Sequence, residues 1–163
     1  MTSVLKVDNI QNSSGTSAMT IDSSGVITDN QKPLFYAQDV TNFAGASGWK
    51  ILNWANIEEN HKIDWDATNY RIKPTVAGYY HIVFNHGHTG GSHTEYYLTI
   101  VHSVHGRISN HGGAGERSSI SAIEYFDGVN DYITTETYHS NANHADDNND
   151  RRCNVAMFLV KGD

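Results

Sequence analysis

At 163 residues the chain has room for one ordinary domain and a short appendage, and its apolar letters lean toward Tyr, Ile, Val, Phe and Trp, which suit strands. Eighteen acidic against eleven basic residues leave a formal charge of −7, which excludes a nucleic-acid backbone or an anionic membrane surface as the main partner. No basic-then-apolar leader follows Met1 and no apolar run approaches membrane-spanning length, so the expectation is a protein made in a cytoplasm, without signal peptide or membrane insertion.

Residues 1–33 form the first segment. They are rich in Ser, Thr, Asn and Asp and hold no aromatic residue. Two patterns echo each other, Ile10-Gln-Asn-Ser-Ser-Gly15 and Ile21-Asp-Ser-Ser-Gly25. Each is a short apolar stretch that runs into a Ser-Ser-Gly turn. Met19 and Ile21 before the second turn, with Val26 and Ile27 after it, predict a small hairpin. So thin a segment buries no core by itself. It is either a tail or a piece that orders against other chains or a docking partner.

From Leu34 onward the pattern is all-β. Apolar runs recur at Leu34–Ala37, Trp49–Trp54, Tyr70–Ile72, Tyr79–Phe84, Tyr96–Val104, Ile120–Phe126, Tyr132–Tyr138 and Val155–Val160, with Gly-, Asn- and Asp-rich loops between them. Short strands at this spacing predict a sandwich or barrel over 34–163. Only Trp54–Glu59 offers a helical alternative, and it is too short to stand alone. Cys153 has no partner for a disulfide and fits a small buried hydrophobe. Ten histidines are enough, if all were protonated, to reverse the sign of the net charge; the plainer reading makes most of them surface or strand-filling residues.

Several of these strands are apolar on both faces. Tyr80, Ile82 and Phe84 oppose Tyr79, His81 and Val83; Tyr96, Leu98 and Ile100 oppose Tyr97 and Val101; Ala156 and Phe158 oppose Val155, Met157 and Leu159. A lone sandwich shows water a polar outer face. The excess therefore predicts a homo-oligomer whose interface includes Tyr79, His81, Val83, Tyr97, Val101, Val155, Met157 and Leu159.

The residues Ile72, Pro74, Gly78, Tyr80 and Ile82 resemble a signature of the complement C1q/tumour-necrosis-factor superfamily, with one extra residue between Pro and Gly. Phe126-Asp-Gly128-Val-Asn-Asp131-Tyr-Ile133 resembles a later family element, with an insertion between Gly and Asp, and Val155–Val160 stands where the family's closing strand stands. The resemblance implies a jelly-roll sandwich assembled as a homotrimer. Val4-Leu-Lys-Val-Asp-Asn-Ile-Gln-Asn is similar to the start of fibre-like proteins of marine phages. Together these imply a virion protein whose residues 1–33 attach to other virion proteins.

Three constellations bear on chemistry. His86 and His88 sit at i and i+2 of a strand, on one side, so three copies around a threefold axis would offer six nitrogens to a divalent transition metal. Asp146, Asn148 and Asp150 have the opening spacing of a calcium loop, but Arg151 stands where Gly is required and Met157 at the twelfth position. Calcium in an acidic loop at the trimer top is a property the family resemblance implies. A solvated loop is the alternative for both sites. Glu58, Glu59, His61, Asp64 and Asp66 supply carboxylates and an imidazole without the spacing of an acid/base pair, and no nucleophile elbow, phosphate loop or zinc-protease helix occurs. The expected function is therefore adhesion and assembly, not catalysis: a trimeric tail fibre or fibre-like appendage that binds a host-surface glycan or protein. The contact loops would include Thr89, Ser92, Asn141 and Asp147, and Trp49, Trp54 and Trp65 are aromatic platforms if exposed. A capsid cement without receptor and a polysaccharide-degrading spike are the rival readings.

Overall fold

The computed structural model of the chain describes residues 7–28, 32–41, 47–89, 95–111, 117–140, 145–146 and 153–162. Every regular element among them is a strand. The chain divides into two compact units, Met1–Lys32 and Pro33–Asp163.

In the first unit, β1 (Asn9–Gln11), β2 (Ser17–Ile21) and β3 (Ile27–Thr28) form an antiparallel meander. The two echoed sequences are its two turns, ten residues apart. Asn12 Oδ1 accepts from the backbone N–H of Ser14 (3.1 Å) and Thr16 (2.9 Å). Asp22 Oδ1 accepts in the same way from Ser24 (2.8 Å) and Val26 (2.9 Å). Gly15 and Gly25 take φ of 82° and 80°, the left-handed region that glycine enters cheaply. The pairs Ile10↔Met19 and Ile21↔Ile27 put four apolar side chains on one face of the meander.

The second unit is a two-layer antiparallel sandwich. Its strands are β4 (Leu34–Val40), β5 (Gly48–Ile51), β6 (Trp54–His61), β7 (Ile63–Asp66), β8 (Arg71–Pro74), β9 (Gly78–Thr89), β10 (Tyr96–His102), β11 (Gly106–His111), β12 (Arg117–Phe126), β13 (Ile133–His139), β14 (Ala145–Asp146) and β15 (Asn154–Gly162). One sheet runs β12-β9-β15-β4-β6, with β14 beside the end of β9; the other runs β11-β10-β13-β8-β7, with β5 also on β13. Sequence neighbours are repeatedly split between the sheets, the connectivity of a jelly roll. Between the layers lie Phe35, Trp54, Ile72, Tyr80, Ile82, Phe84, Tyr96, Leu98, Ile100, Phe126, Ile133, Val155 and Met157, all buried. Trp54–Glu59 falls in β6, not in a helix, because its backbone completes the ladder of β4 from Leu34↔His61 to Val40↔Trp54. Cys153 is buried, and its thiol donates to the Gly87 carbonyl at 3.3 Å.

Candidate functional site

The residues that carry the family resemblance build a corner. Ile72, Pro74, Gly78, Tyr80 and Ile82 are all buried. The Tyr80 hydroxyl donates to the Val76 carbonyl at 2.8 Å, and burial pushes its pKa up to about 12. Gly128, at φ 71°, lies so close to this corner that a Cβ there would sit 2.6 Å from the Ala77 nitrogen. Asp127 fixes the turn that carries Gly128. Its carboxylate accepts from the backbone N–H of Asp131, Val129 and Asn130, which hold its pKa at about 2. These motifs are therefore framework, and the surfaces they position lie elsewhere.

The first such surface is the outer face of the β12-β9-β15-β4-β6 sheet. The registers Tyr125↔Tyr79, Ile123↔His81, His81↔Phe158 and Ala156↔Tyr36 line up side chains from four strands on it. Tyr79 is 45% exposed and Ile123 61%. Ring contacts tie Tyr79 to Tyr125 (5.3 Å) and His81 to Phe158 (5.2 Å). Tyr79, His81 and Val83 thus lie together on one face, but the β15 residues of the predicted interface set need correction. Val155 and Met157 are fully buried in the core of their own subunit, and Leu159 packs against that core. Facing outward from β15 are Ala156 and Phe158. The alternation of β15 has two possible phases, and both look apolar in sequence; only pairing with β9 decides between them. Tyr97 and Val101 lie on the outer face of the other sheet.

The expected metal ligands are also redistributed. His86 points into the core, fully buried, with Nδ1 2.6 Å from the Tyr96 hydroxyl and its ring 6.1 Å from that of His139. An imidazole enclosed between its own two sheets cannot meet two symmetry mates on an axis, so the threefold His86–His88 site is corrected. The even positions of β9 are its core side, and His86 follows Tyr80, Ile82 and Phe84 on it. For His88, Thr89 and Asp146 the backbone alone is described, in the ladder pairs Asp146↔His88 and Ala145↔Thr89. Asn148, Asp150, Ser92, Asn141 and Asp147 lie outside the described residues. Among the described residues no group of three or more His, Cys, Asp or Glu side chains is placed to hold a metal ion.

The second surface is one that sequence reasoning missed. β13 changes partner along one edge, pairing with β5 from Glu136↔Ile51 to His139↔Gly48 and with β8 at Ile133↔Ile72. A cleft of about 550 Å³ opens where the partner changes, on the outer face of the β11-β10-β13-β8-β7 sheet. One rim is the turn at residues 66–69, where the Asn69 side chain (2.7 Å) and the backbone N–H of Asn69 and Thr68 donate to Asp66 and lower its pKa. Tyr70 follows at φ 57°, and the Arg71 guanidinium lies 4.3 Å over the Tyr132 ring. Beyond the other rim, the Arg107 guanidinium lies 4.2 Å over Trp49 and its Nη2 donates to Glu136 Oε2 at 2.8 Å. Trp49 also meets Tyr97 and Tyr138, at 6.2 and 5.4 Å. Of the three tryptophans, Trp54 is core and donates to Thr135 Oγ1 at 3.0 Å, Trp65 packs on Phe35, and Trp49 alone is exposed, by 42%. In the sequence, Arg107 gives no hint that it reaches Trp49 and Glu136, because the contacts span three strands.

This is a jelly-roll sandwich of the tumour-necrosis-factor type. Murine APRIL, in a crystal structure at pH 8.0, is similar at TM-score 0.61 and 9% identity, over 79% of this chain and 99% of that one. The vertex protein P5 of phage PRD1 is similar at TM-score 0.67 and 15% identity, over 93% of this chain and 87% of that one. No protein-family model and no curated protein matches the sequence.

Proposed function

We propose that the chain is a phage virion structural protein, a homotrimeric tail fibre or fibre-like appendage that binds the host surface. The observation that carries the assembly half is the outer face of the β12-β9-β15-β4-β6 sheet, where Tyr79, Ile123, Tyr125, His81 and Phe158 form one apolar stripe. Such a stripe is a liability on a lone subunit and an interface in an oligomer. The likeness to PRD1 vertex protein P5 supports a place on a virion, and its coverage extends past what residues 33–163 alone make up. Residues 1–32 serve as the attachment piece, since their meander has an apolar face and no core of its own.

Labelled protein at micromolar concentration, incubated with host cells and with particles lacking it, tests the reading. Saturable adsorption to cells is expected. Stoichiometric binding to particles with no adsorption to cells would replace the adhesin with a capsid cement.

A further inference from the structure

The cleft on the β11-β10-β13-β8-β7 sheet carries chemistry that the framework does not use. We infer that it binds a pyranose unit of a saccharide, laid against the Arg71–Tyr132 pair with its hydroxyls on Glu136, which Arg107 holds from beyond the rim. The inference deepens the adhesive reading by naming the ligand class and a site for it.

Glu136 is the centre of the site. Its side chain is 10% exposed, on a sheet face where a neutral residue would cost nothing to bury. Arg107 binds one carboxylate oxygen at 2.8 Å, while the other has only Thr134 Oγ1 at 3.5 Å, too long for a strong bond. An acceptor already desolvated and held in place, with capacity left over, suits a hydroxyl donor. Arg71 supplies the complementary planar donors, and the Tyr132 ring 4.3 Å below its guanidinium holds it in place. Tyr70 adds a bulky side chain in the left-handed region, a strain of the kind kept at ligand clamps. Beyond the rim, Trp49 carries the Arg107 guanidinium on its ring and packs on Tyr97 and Tyr138, which fixes the cation that holds Glu136 in place.

Other ligand classes fit less well. A divalent cation would meet two guanidiniums and one carboxylate already engaged. A phosphate would meet Glu136. An extended peptide would need a free strand edge or a continuous apolar groove, whereas here Ile51 and Val101 are interspersed with hydroxyl, amide and charged groups. The volume falls within the range of about 300–1,000 Å³ usual for small-ligand sites and holds one or two sugar rings.

The test is ¹H–¹⁵N correlation spectroscopy of the full chain titrated with glucose, galactose, mannose, N-acetylglucosamine and glucuronate, each to about 50 mM, enough to saturate a site of about millimolar Kd. At least one sugar is expected to shift the amides of residues 68–71 and 132–136. Glu136→Gln, which keeps volume and shape, should weaken that sugar about tenfold or more while the spectrum elsewhere is unchanged, as loss of a charged hydrogen-bond partner does. A response confined to glucuronate would overturn Glu136 as the reader, whereas a response to a neutral sugar that weakens in Glu136→Gln supports it. No cleft shift with any of these sugars, or equal affinity in Glu136→Gln, overturns the inference. Cell adsorption of the same two proteins separates it from the adhesive reading. Adsorption that persists in both without any sugar response removes the cleft and keeps the adhesin, whereas sugar binding without adsorption does the reverse.

Discussion

Gly128 shows how one atom sets a tertiary contact. Its backbone lies against Val76 and Ala77 at a positive φ, so the turn after β12 and the turn before β9 close on each other with no side chain between them. Gly128→Ala adds a Cβ 2.6 Å from backbone that cannot step aside and imposes a left-handed alanine. We expect a loss of about 2–3 kcal/mol in a denaturant melt; a loss below about 0.5 kcal/mol would show that the corner yields. Tyr80, on the same corner, makes a prediction about pH. Its pKa in the fold is about 12, against 10.0 for the free side chain, so the buried neutral phenol contributes stability that is fully present below pH 10. As pH rises from 10 toward 12 the unfolded chain releases a proton that the fold keeps, and stability falls. Tyr80→Phe should lose this alkaline limb while keeping its melt near neutrality lower by about 1 kcal/mol, the worth of the Val76 hydrogen bond.

At the scale of elements, what the sequence could say depended on whether a strand's two faces differ. β9 was legible because Gly78 marks its start and Tyr80, Ile82 and Phe84 alternate with the weaker Tyr79, His81 and Val83. β15 was not. Val155, Met157 and Leu159 look as interfacial as Ala156 and Phe158, and only the pairing Phe158↔His81 assigns the faces. β7 and β11 escaped notice because they are polar edge strands: Asp64 and Asp66 interrupt one, and Arg107 and Asn110 the other. The same blindness hid the cleft, since its parts come from β5, β10, β13 and the turn before β8 and only the change of partner on β13 brings them together. The assembly face makes its own prediction. Ile123 is exposed in a single subunit and central to the apolar stripe, so Ile123→Asp should leave the melt of a subunit nearly unchanged yet drive light scattering from a trimer toward the mass of one 18.1 kDa chain. A trimer that persists in Ile123→Asp would move the interface to another face.

At the scale of the whole molecule, the two units pose different physical problems. The jelly roll buries aromatic and aliphatic side chains from both sheets and has a core sufficient for independent folding. The meander of residues 9–28 has two well-made turns, each closed by an Asn or Asp carbonyl or carboxylate oxygen, but Ile10 and Ile27 remain 49% and 59% exposed on its apolar face. Turn chemistry fixes its register, whereas its stability has to come from something laid on that face. If residues 1–32 are the proposed attachment piece, the two units divide the work: the jelly roll folds on its own core, and the meander's apolar face meets the particle. A chain beginning at Pro33 should therefore melt cooperatively within a few degrees of the full chain and keep its oligomeric mass, yet fail to bind particles that lack the protein. Ile10→Ser with Ile27→Ser in the full chain should reproduce that failure with the head intact. If either variant still bound particles at the affinity of the full chain, attachment would belong to the jelly roll, and the apolar face of the meander would need another occupant.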